Sequence, residues 1–165
     1  MKESAWLLAT FGAIALVFAA AFPANAAGGA KAEITAFEHK CIAAKNADEA
    51  MACFDPKEIV LYDFMPPLKY SGKQAVYQDL TNFFTNAKDV KGEFLELDVV
   101  ADGKLGVANS IQHFTWTGKD GKPMEGNFRV TDSLHKVGGK WKIFHSHISV
   151  PVDPATGKAV MDAKM

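Results

Sequence analysis

Histidine and aspartate side chains recur along the final strands that the sequence predicts. His145 and His147 lie two residues apart near the C-terminus, and Asp132 and His113 fall in two preceding strand-like segments. Imidazole and carboxyl groups at hydrogen-bonding distance can exchange protons with a bound molecule near neutral pH. The pattern therefore indicates acid–base chemistry or a polar ligand pocket, provided that these side chains share one face of a sheet.

The turn at Gly138-Gly139 predicts how the last two strands pair. A two-residue hairpin loop there places Asp132 opposite His145 and Val130 opposite His147. Because side chains alternate between the two faces of a strand, Asp132, His145 and His147 are expected to share one face. The apolar members of that face are Val130, Leu134, Trp141 and Ile143. We expect this face to be the core side, covered by helices.

The turn at Asp120-Gly121 extends the same face by one strand. A two-residue loop there pairs His113 with Phe128 and Asn109 with Asp132, so Asn109 and His113 also point inward. Two interpretations of this inward polar group stay open, a ligand pocket and a structural network of satisfied hydrogen bonds. No His-x-x-x-His helix motif accompanies it, and we predict no metal site. The predicted ligand contacts are Tyr62, Asn109, His113, Trp141 and His147.

Length and composition limit the class of protein. The chain has 165 residues, enough for one domain, with 48% apolar and 22% charged residues, which are globular values. Eighteen basic residues balance 19 acidic ones, so a generally basic nucleic-acid-binding protein is excluded. No glycine-rich phosphate-binding motif is present, and no cofactor is predicted.

The N-terminus has the pattern of a signal peptide. Lys2 precedes an apolar run from Ala5 to Phe22, and an Ala-x-Ala cleavage signature ends at Ala26. Residues 1–26 are therefore predicted to be removed, which leaves a domain over residues 27–153 and a C-terminal tail over residues 154–165. The expected location is the periplasm or the medium, with no membrane contact after cleavage. An uncleaved membrane anchor is the alternative, because the run is long for a signal peptide.

Export affects how the two cysteines are interpreted. Cys41 and Cys53 would lie in an oxidising compartment, where disulfides persist. Both fall in a predicted helical hairpin and could face each other. The sequence therefore favours a Cys41–Cys53 disulfide, with two small buried thiols as the alternative.

Helices precede strands in the predicted order of elements. A helix over 32–45 is followed by a short helix capped by Asn46 with Glu49, then by a strand over 58–64. A third helix over 72–86 is predicted to be capped by Ser71 with Gln74. The remaining strands, separated by glycine turns, cover 93–100, 105–117, 125–136 and 140–150. This order predicts an α+β fold with an antiparallel meander at its C-terminal end.

Two segments carry a resemblance to a known family. YDFMPPLKYSGKQAV and DSLHKVGGKWKIFHSHISVP resemble the first-strand-to-helix segment and the last hairpin of SnoaL-like and ketosteroid-isomerase-like proteins. The resemblance covers residues 31–153. It implies the cone of the nuclear transport factor 2-like (cystatin-like) superfamily, a curved antiparallel sheet packed against an N-terminal helical hairpin and a third helix. It also implies a homodimer through the outer sheet face, where Arg129 is expected.

The ketosteroid isomerase pattern implies roles for particular residues. Asp63 lies nine residues before Gly72, where the resemblance implies the general base, and Asp132 matches the enolate-stabilising aspartate. The isomerase tyrosine aligns with Cys41 and is missing. Since His145 is expected opposite Asp132 and favours its charged form, a protonated histidine is the expected oxyanion partner. The predicted catalytic residues are Asp63, Asp132 and His145.

Three functions stay open at this level. The first is binding of a small, partly apolar organic molecule in the cone. The second is a cofactor-independent isomerase, cyclase or hydratase that moves a proton next to a carbonyl, with Asp63 as base. The third is a structural or oligomerisation module with a filled core, because this fold hosts all three.

Overall fold

A computed structural model describes residues 24–164. The predicted signal peptide lies outside these residues except for 24–26. Within 24–164, no helix combines the length and hydrophobicity needed to cross a bilayer. The elements are α1 (Ala24–Ile42), α2 (Ala47–Met51), β1 (Val60–Tyr62), β2 (Tyr70–Ser71), α3 (Lys73–Asn86), β3 (Ala87–Asp102), β4 (Leu105–Gly118), β5 (Pro123–Val137) and β6 (Lys140–Ser149).

The strands form one curved sheet in the order β2-β1-β6-β5-β4-β3. The predicted antiparallel meander β3 to β6 is confirmed, and each of its hairpins pairs neighbouring strands. β1 lies parallel to β6 and antiparallel to β2, so the sheet as a whole is mixed. Helices α1 and α3 pack against the sheet, which gives the α+β cone that the element order predicts.

The α1–α2 hairpin is held by a cap and a covalent link. Asn46 caps α2 as predicted, and its Oδ1 accepts a hydrogen bond from the Glu49 backbone N–H (2.9 Å). A disulfide joins Cys41 to Cys53, whose Cα atoms are 6.0 Å apart, so the predicted pairing is confirmed. The hairpin therefore presents a fixed surface to the sheet.

The predicted cap of α3 is wrong. Ser71 is part of β2, where it pairs with Val60, and α3 starts after Gly72 without a side-chain cap. Gly72 has φ of 83°, a left-handed angle that glycine adopts without steric cost. Ser71 therefore pairs within the sheet, whereas the sequence pattern predicted that it would cap α3.

A bulge changes the register of the last hairpin. Lys136–Trp141 and Leu134–Ile143 pair as predicted, but Phe144 is then skipped and Ser133 pairs with His145. One register step exchanges the two faces of a strand. Asp132 consequently lies beside Ser146, while His145 and His147 point to the other face. The predicted Asp132–His145 and Val130–His147 pairs are therefore wrong.

The β4–β5 hairpin also differs from its predicted register by one step. Its loop covers residues 119–121 and is closed by a hydrogen bond from the Gly118 N–H to the Lys122 carbonyl (2.8 Å). His113 therefore pairs with Asn127, and Asn109 pairs with Thr131. Both side chains lie on the face opposite to the predicted one, because Gly118 rather than Lys119 pairs with Lys122 across the turn.

We call the two sides of the sheet the inner and outer faces. The inner face, towards the helices, includes Ala108, Ser110, Gln112, Phe128, Val130, Asp132, Leu134, Trp141, Ile143 and Ser146. The outer face includes Asn109, His113, Arg129, Thr131, His145 and His147. The C-terminal tail returns to the edge of β5, where the Asn127 N–H donates to the Met161 carbonyl (2.7 Å).

Candidate functional site

An apolar cavity of about 210 Å³ lies between the inner face and the three helices. Seven aromatic side chains and two carboxyl groups lie in its wall. The lining residues are Cys41, Ile42, Ala44, Ala50, Phe54, Leu61, Asp63, Phe64, Asp79, Leu80, Phe83, Phe84, Val90, Gln112, Phe114, Trp116, Phe128, Val130 and Ile148. Two of these rings, those of Phe64 and Phe128, have centroids 5.0 Å apart. Such an apolar space with few polar groups is typical of a small-molecule site.

Two elements bring carboxyl groups to one wall of the cavity. Asp63 follows β1 directly, and Asp79 lies on α3 between Val76 and Phe83, on the helix side that faces the sheet. Asp63 Oδ1 is buried and has no hydrogen-bond partner. The wall therefore holds an acceptor that a bound molecule could satisfy.

Burial and mutual repulsion favour the protonated forms of this pair. Desolvation and the adjacent Asp79 carboxyl raise the pKa of Asp63 to about 6. Burial likewise raises the pKa of Asp79. The same two carboxyl groups, together with burial, raise the pKa of Tyr70 to about 12. The pair can therefore hold one proton close to neutral pH and release it or accept it there.

A second carboxyl pair lies deeper in the cone. Glu38 on α1 and Asp132 on β5 are 3% and 6% exposed, and each has one oxygen without a hydrogen-bond partner. Burial, with a contribution from the Asp132 charge, raises the pKa of Glu38 to about 9. Burial raises the pKa of Asp132 to about 6, and the adjacent Ser146 hydroxyl offsets part of the rise.

Gln112 separates this deep pair from the open part of the cavity. Gln112 lines the cavity, and its Nε2 donates a hydrogen bond to Ser110 Oγ (3.0 Å) one step further in. Glu38 lies one helical turn before Cys41 and Ile42, which line the cavity. The deep pair is therefore beyond the cavity wall rather than part of it.

The structure brings together only part of the predicted site. Asp63 lines the cavity, and Asp132 is buried beyond it on the same side of the sheet. Trp141 lies in the other part of the core with Ile34, and its Nε1 donates to Glu33 Oε2 (2.8 Å). Trp141, predicted to contact a ligand, is therefore not among the residues that line this cavity.

The remaining predicted residues meet on the outer face. The Tyr62 ring lies 4.9 Å from the His145 ring and 5.8 Å from the His147 ring. His113 Nδ1 is 2.7 Å from Asn127 Oδ1, and Asn109 Oδ1 accepts a hydrogen bond from the Thr131 hydroxyl (3.1 Å). None of these side chains lines the cavity. The inward orientation predicted for Asn109, His113, His145 and His147 is wrong, because both hairpins differ by one register step.

Arg129 lies on the outer face, as predicted. Its Nη2 donates a hydrogen bond to the Val150 carbonyl (3.0 Å), which ties β5 to the start of the tail. The cavity therefore has no arginine in its wall.

Asp79, Glu38 and Gln112 were not found by sequence reasoning. Asp79 lies three residues after Val76 and four before Phe83, so an acidic residue interrupts the apolar side of α3. Glu38 interrupts the apolar side of α1 in the same way, four residues after Ile34. A carboxyl group at a core position of an amphipathic helix is a detectable signal.

Other parts of the described chain lack the features of an enclosed site. A wider, open depression of about 400 Å³ lies on the surface beside Asp48, Lys73 and Tyr77, and it lacks an enclosed apolar wall. Over residues 24–164, no three His, Cys, Asp or Glu side chains converge as metal ligands. The enclosed cavity with Asp63 and Asp79 is thus the candidate site.

Solved structures share the fold. A nuclear transport factor 2-like protein of unknown function from Pseudomonas putida is 24% identical, with a TM-score of 0.73 over 84% of this chain and 98% of that one. A nuclear transport factor 2-like superfamily protein from Salmonella enterica is 19% identical, with a TM-score of 0.69 over 81% and 99% of the two chains. A ketosteroid isomerase-like protein from Erwinia carotovora is 20% identical, with a TM-score of 0.62 over 72% and 94%.

The sequence itself gives the family. No curated protein matches the chain. The SnoaL-like domain family matches residues 32–153, which is most of the chain and includes all six strands and the three helices except the start of α1. The chain therefore belongs to the SnoaL-like domain family, and it shares the fold of the nuclear transport factor 2-like proteins.

Proposed function

We propose that this protein binds a small, partly apolar organic molecule in the cavity between the inner face and the helices. The observation that carries the proposal is an enclosed aromatic wall interrupted by Asp63, whose Oδ1 has no partner. Burying the apolar part of a ligand against this wall contributes about 25 cal/mol per Å². A donor on the ligand would satisfy the unpartnered oxygen and fix the orientation.

A filled-cavity variant tests this proposal. We expect 3-phenylpropan-1-ol to bind the wild-type protein by calorimetry, and Leu80→Trp to weaken binding at least about tenfold by occupying the space. Leu80 lines the cavity, whereas Val107 lies on the outer face, so Val107→Trp is the matched control. Equal binding by both folded variants would contradict the proposal. An oligomerisation module with a filled core is disfavoured, because the cone contains an open cavity.

Acid–base catalysis is the second candidate function. Asp63 lies in the cavity wall and its pKa is raised to about 6, close to the value that suits a general base at neutral pH. Asp132 has Ser146 beside it rather than His145, and His145 does not line the cavity. The acid–base groups of this candidate are therefore Asp63 and the adjacent Asp79.

Proton exchange at a ketone tests the catalytic candidate without a known substrate. If Asp63 is a general base, the protein accelerates the exchange of the α-hydrogens of 4-phenylbutan-2-one for deuterium, measured by NMR. Asp63→Asn then abolishes exchange and leaves ligand affinity within a few-fold, while Glu96→Gln, an exposed charge change, has no effect. If the wild-type protein exchanges the α-hydrogens no faster than buffer alone does, the catalytic candidate is wrong and ligand binding remains the proposed function.

We propose that the protein is exported to an oxidising compartment and that its signal peptide is cleaved after Ala26. The Cys41–Cys53 disulfide supports this location, because such bonds persist outside the cytoplasm. Intact mass of the protein from a periplasmic fraction tests both points. The expected chain starts at Ala27 and takes up no alkylating reagent before reduction.

A homodimer through the outer face is proposed from the fold. Exposed apolar side chains on that face, Val100, Leu105 and Val107, support it. Val107→Glu places a charge among them, and we expect it to yield monomers in sedimentation velocity. A wild-type protein that sediments as a monomer at high concentration would contradict this proposal.

A further inference from the structure

We propose that the ligand is an organic ammonium, a molecule with an apolar body and one protonated amine held between Asp63 and Asp79. This inference rests on the proposed function and names the ligand class for the same cavity. It follows from three properties of the cavity, which are the charges inside it, the rings around it and the position of the carboxyl pair.

The interior of the cone contains acidic groups and no base. Four carboxyl side chains lie between sheet and helices, those of Glu38, Asp63, Asp79 and Asp132. No Lys, Arg or His is among the residues that line the cavity. Within residues 24–164, the salt bridges involve other carboxylates, Glu33, Asp55, Asp98 and Asp120. A charge taken out of water needs a partner, and the residues that line the cavity supply no cationic one.

Aromatic rings line the same cavity as Asp63 and Asp79. Phe64 follows Asp63 directly, and Phe83 lies one helical turn after Asp79. The other rings in the wall are Phe54, Phe84, Phe114, Trp116 and Phe128. Faces of aromatic rings attract cations, and the attraction grows when water is excluded. An ammonium would gain from both the carboxyl groups and the rings, whereas a neutral hydroxyl would gain mainly a hydrogen bond.

The carboxyl pair is suited to exchange a proton for a cation. The charged and titratable groups that face Asp63 are Asp79 from α3 and Tyr70 from β2. All three groups are acids, so no cationic group among them competes with a bound amine for the carboxylates. When no ligand is bound, a shared proton reduces the negative charge of the Asp63–Asp79 pair. A bound ammonium group can replace that proton, because it offers three N–H donors. An anionic ligand would instead face two carboxyl groups at close range and be excluded.

A matched pair of probes tests this inference. We measure binding of 3-phenylpropylamine and of 3-phenylpropan-1-ol, which have the same shape and differ in charge, by calorimetry at pH 8. We expect the amine to bind the wild-type protein at least about tenfold more tightly, since a charge-assisted hydrogen bond and a cation–π contact are added. Asp79→Asn should reduce this preference to within about threefold and leave the alcohol affinity unchanged. Glu96→Gln, an equal charge change on an exposed position of β3, should leave the preference intact.

The wild-type protein also provides a test that needs no variant. Lowering the pH from 8 to 5 protonates the pair, so the preference for the amine should fall while alcohol binding stays constant. Equal affinity for the two probes, or a preference that is independent of both pH and Asp79, would overturn the ammonium inference and leave the proposed function standing. Binding of neither probe by the folded protein would overturn both.

Discussion

The inner and outer faces of the sheet consist of alternate residues of the same strands, yet they carry opposite kinds of polar group. The interior between the inner face and the helices holds four carboxyl groups, each with a raised pKa. The outer face holds imidazoles and Arg129, with partners such as Asn127 and the Val150 carbonyl. The titratable groups inside the cone are therefore carboxyl groups, and the histidines lie on the outer face of the sheet.

This separation shows how much depends on one register step. Asp132 and the residues next to it in the sheet, Ser146 and Ala108, are all inner-face residues, whereas a one-residue shift would place His145 and Asn109 there instead. With a histidine beside it, Asp132 would be held charged. Without a histidine beside it, burial raises the pKa of Asp132, and the Ser146 hydroxyl offsets only part of the rise.

The largest expected effect compares neighbouring residues on the two faces. Leu134 is fully buried on the inner face, while Ser133 lies beside it on the outer face. Leu134→Ala should lower the free energy of unfolding by about 2–5 kcal/mol through lost burial and a cavity. Ser133→Ala should change it by less than about 1 kcal/mol. Urea denaturation of both variants measures the difference, and similar values would contradict the assignment of faces.

Removing the disulfide should have the next largest effect. Cys41→Ser with Cys53→Ser releases a loop with a sequence separation of 12, for which about 3 kcal/mol of stability is typical. Cys41 also lines the cavity, so ligand affinity should fall together with stability. A double variant as stable as the oxidised wild type would show that packing alone holds the α1–α2 hairpin against the sheet.

The deep carboxyl pair should make stability fall as the pH rises. Glu38 has a folded pKa of about 9, above its ordinary value of 4.5, and it faces Asp132. Between these values the folded protein retains a proton that the unfolded chain has released, so unfolding becomes easier with increasing pH. The slope is at most about 1.4 kcal/mol per pH unit for one proton.

Urea denaturation from pH 5 to pH 8 measures this slope. Glu38→Gln should flatten it, because the amide has no proton to lose, and Glu96→Gln on exposed β3 is the matched control. A slope that is the same in the wild type and in Glu38→Gln would mean that Glu38 is not held protonated.

The smallest expected effect concerns the histidines of the outer face. His145→Ala and His147→Ala should leave the affinity of the cavity for 3-phenylpropan-1-ol within about twofold, because neither side chain lines it. The imidazoles contact Tyr62 instead. A tenfold loss of affinity, measured by calorimetry on folded variants, would place these histidines in the site after all.

Local patterns predicted the elements and the family well. Apolar periodicity and glycine turns located the helices and the four long strands, and the Asn46 cap and the Cys41–Cys53 disulfide are as expected. These features depend on residues close together in sequence. Asp63 was identified by its distance from Gly72 in the resemblance, and it lines the cavity.

Register could not be predicted to the residue. The skipped Phe144 and the loop over 119–121 depend on packing across the sheet, and nothing in the turn residues indicates them. Each error exchanged the two faces, which moved His113 and His145 out of the predicted pocket. Asp79 was missed for a different reason, because it meets Asp63 only through the packing of α3 on the sheet.

The site of probe binding can be observed directly. NMR of the protein titrated with 3-phenylpropylamine separates the two faces, because the Trp116 indole and the Gln112 amide line the cavity while His113 and His145 report on the outer face. We predict saturable shifts of the Trp116 and Gln112 signals and none at the two imidazoles. Shifts confined to the imidazoles would contradict the account, because the bound molecule would then lie outside the cone.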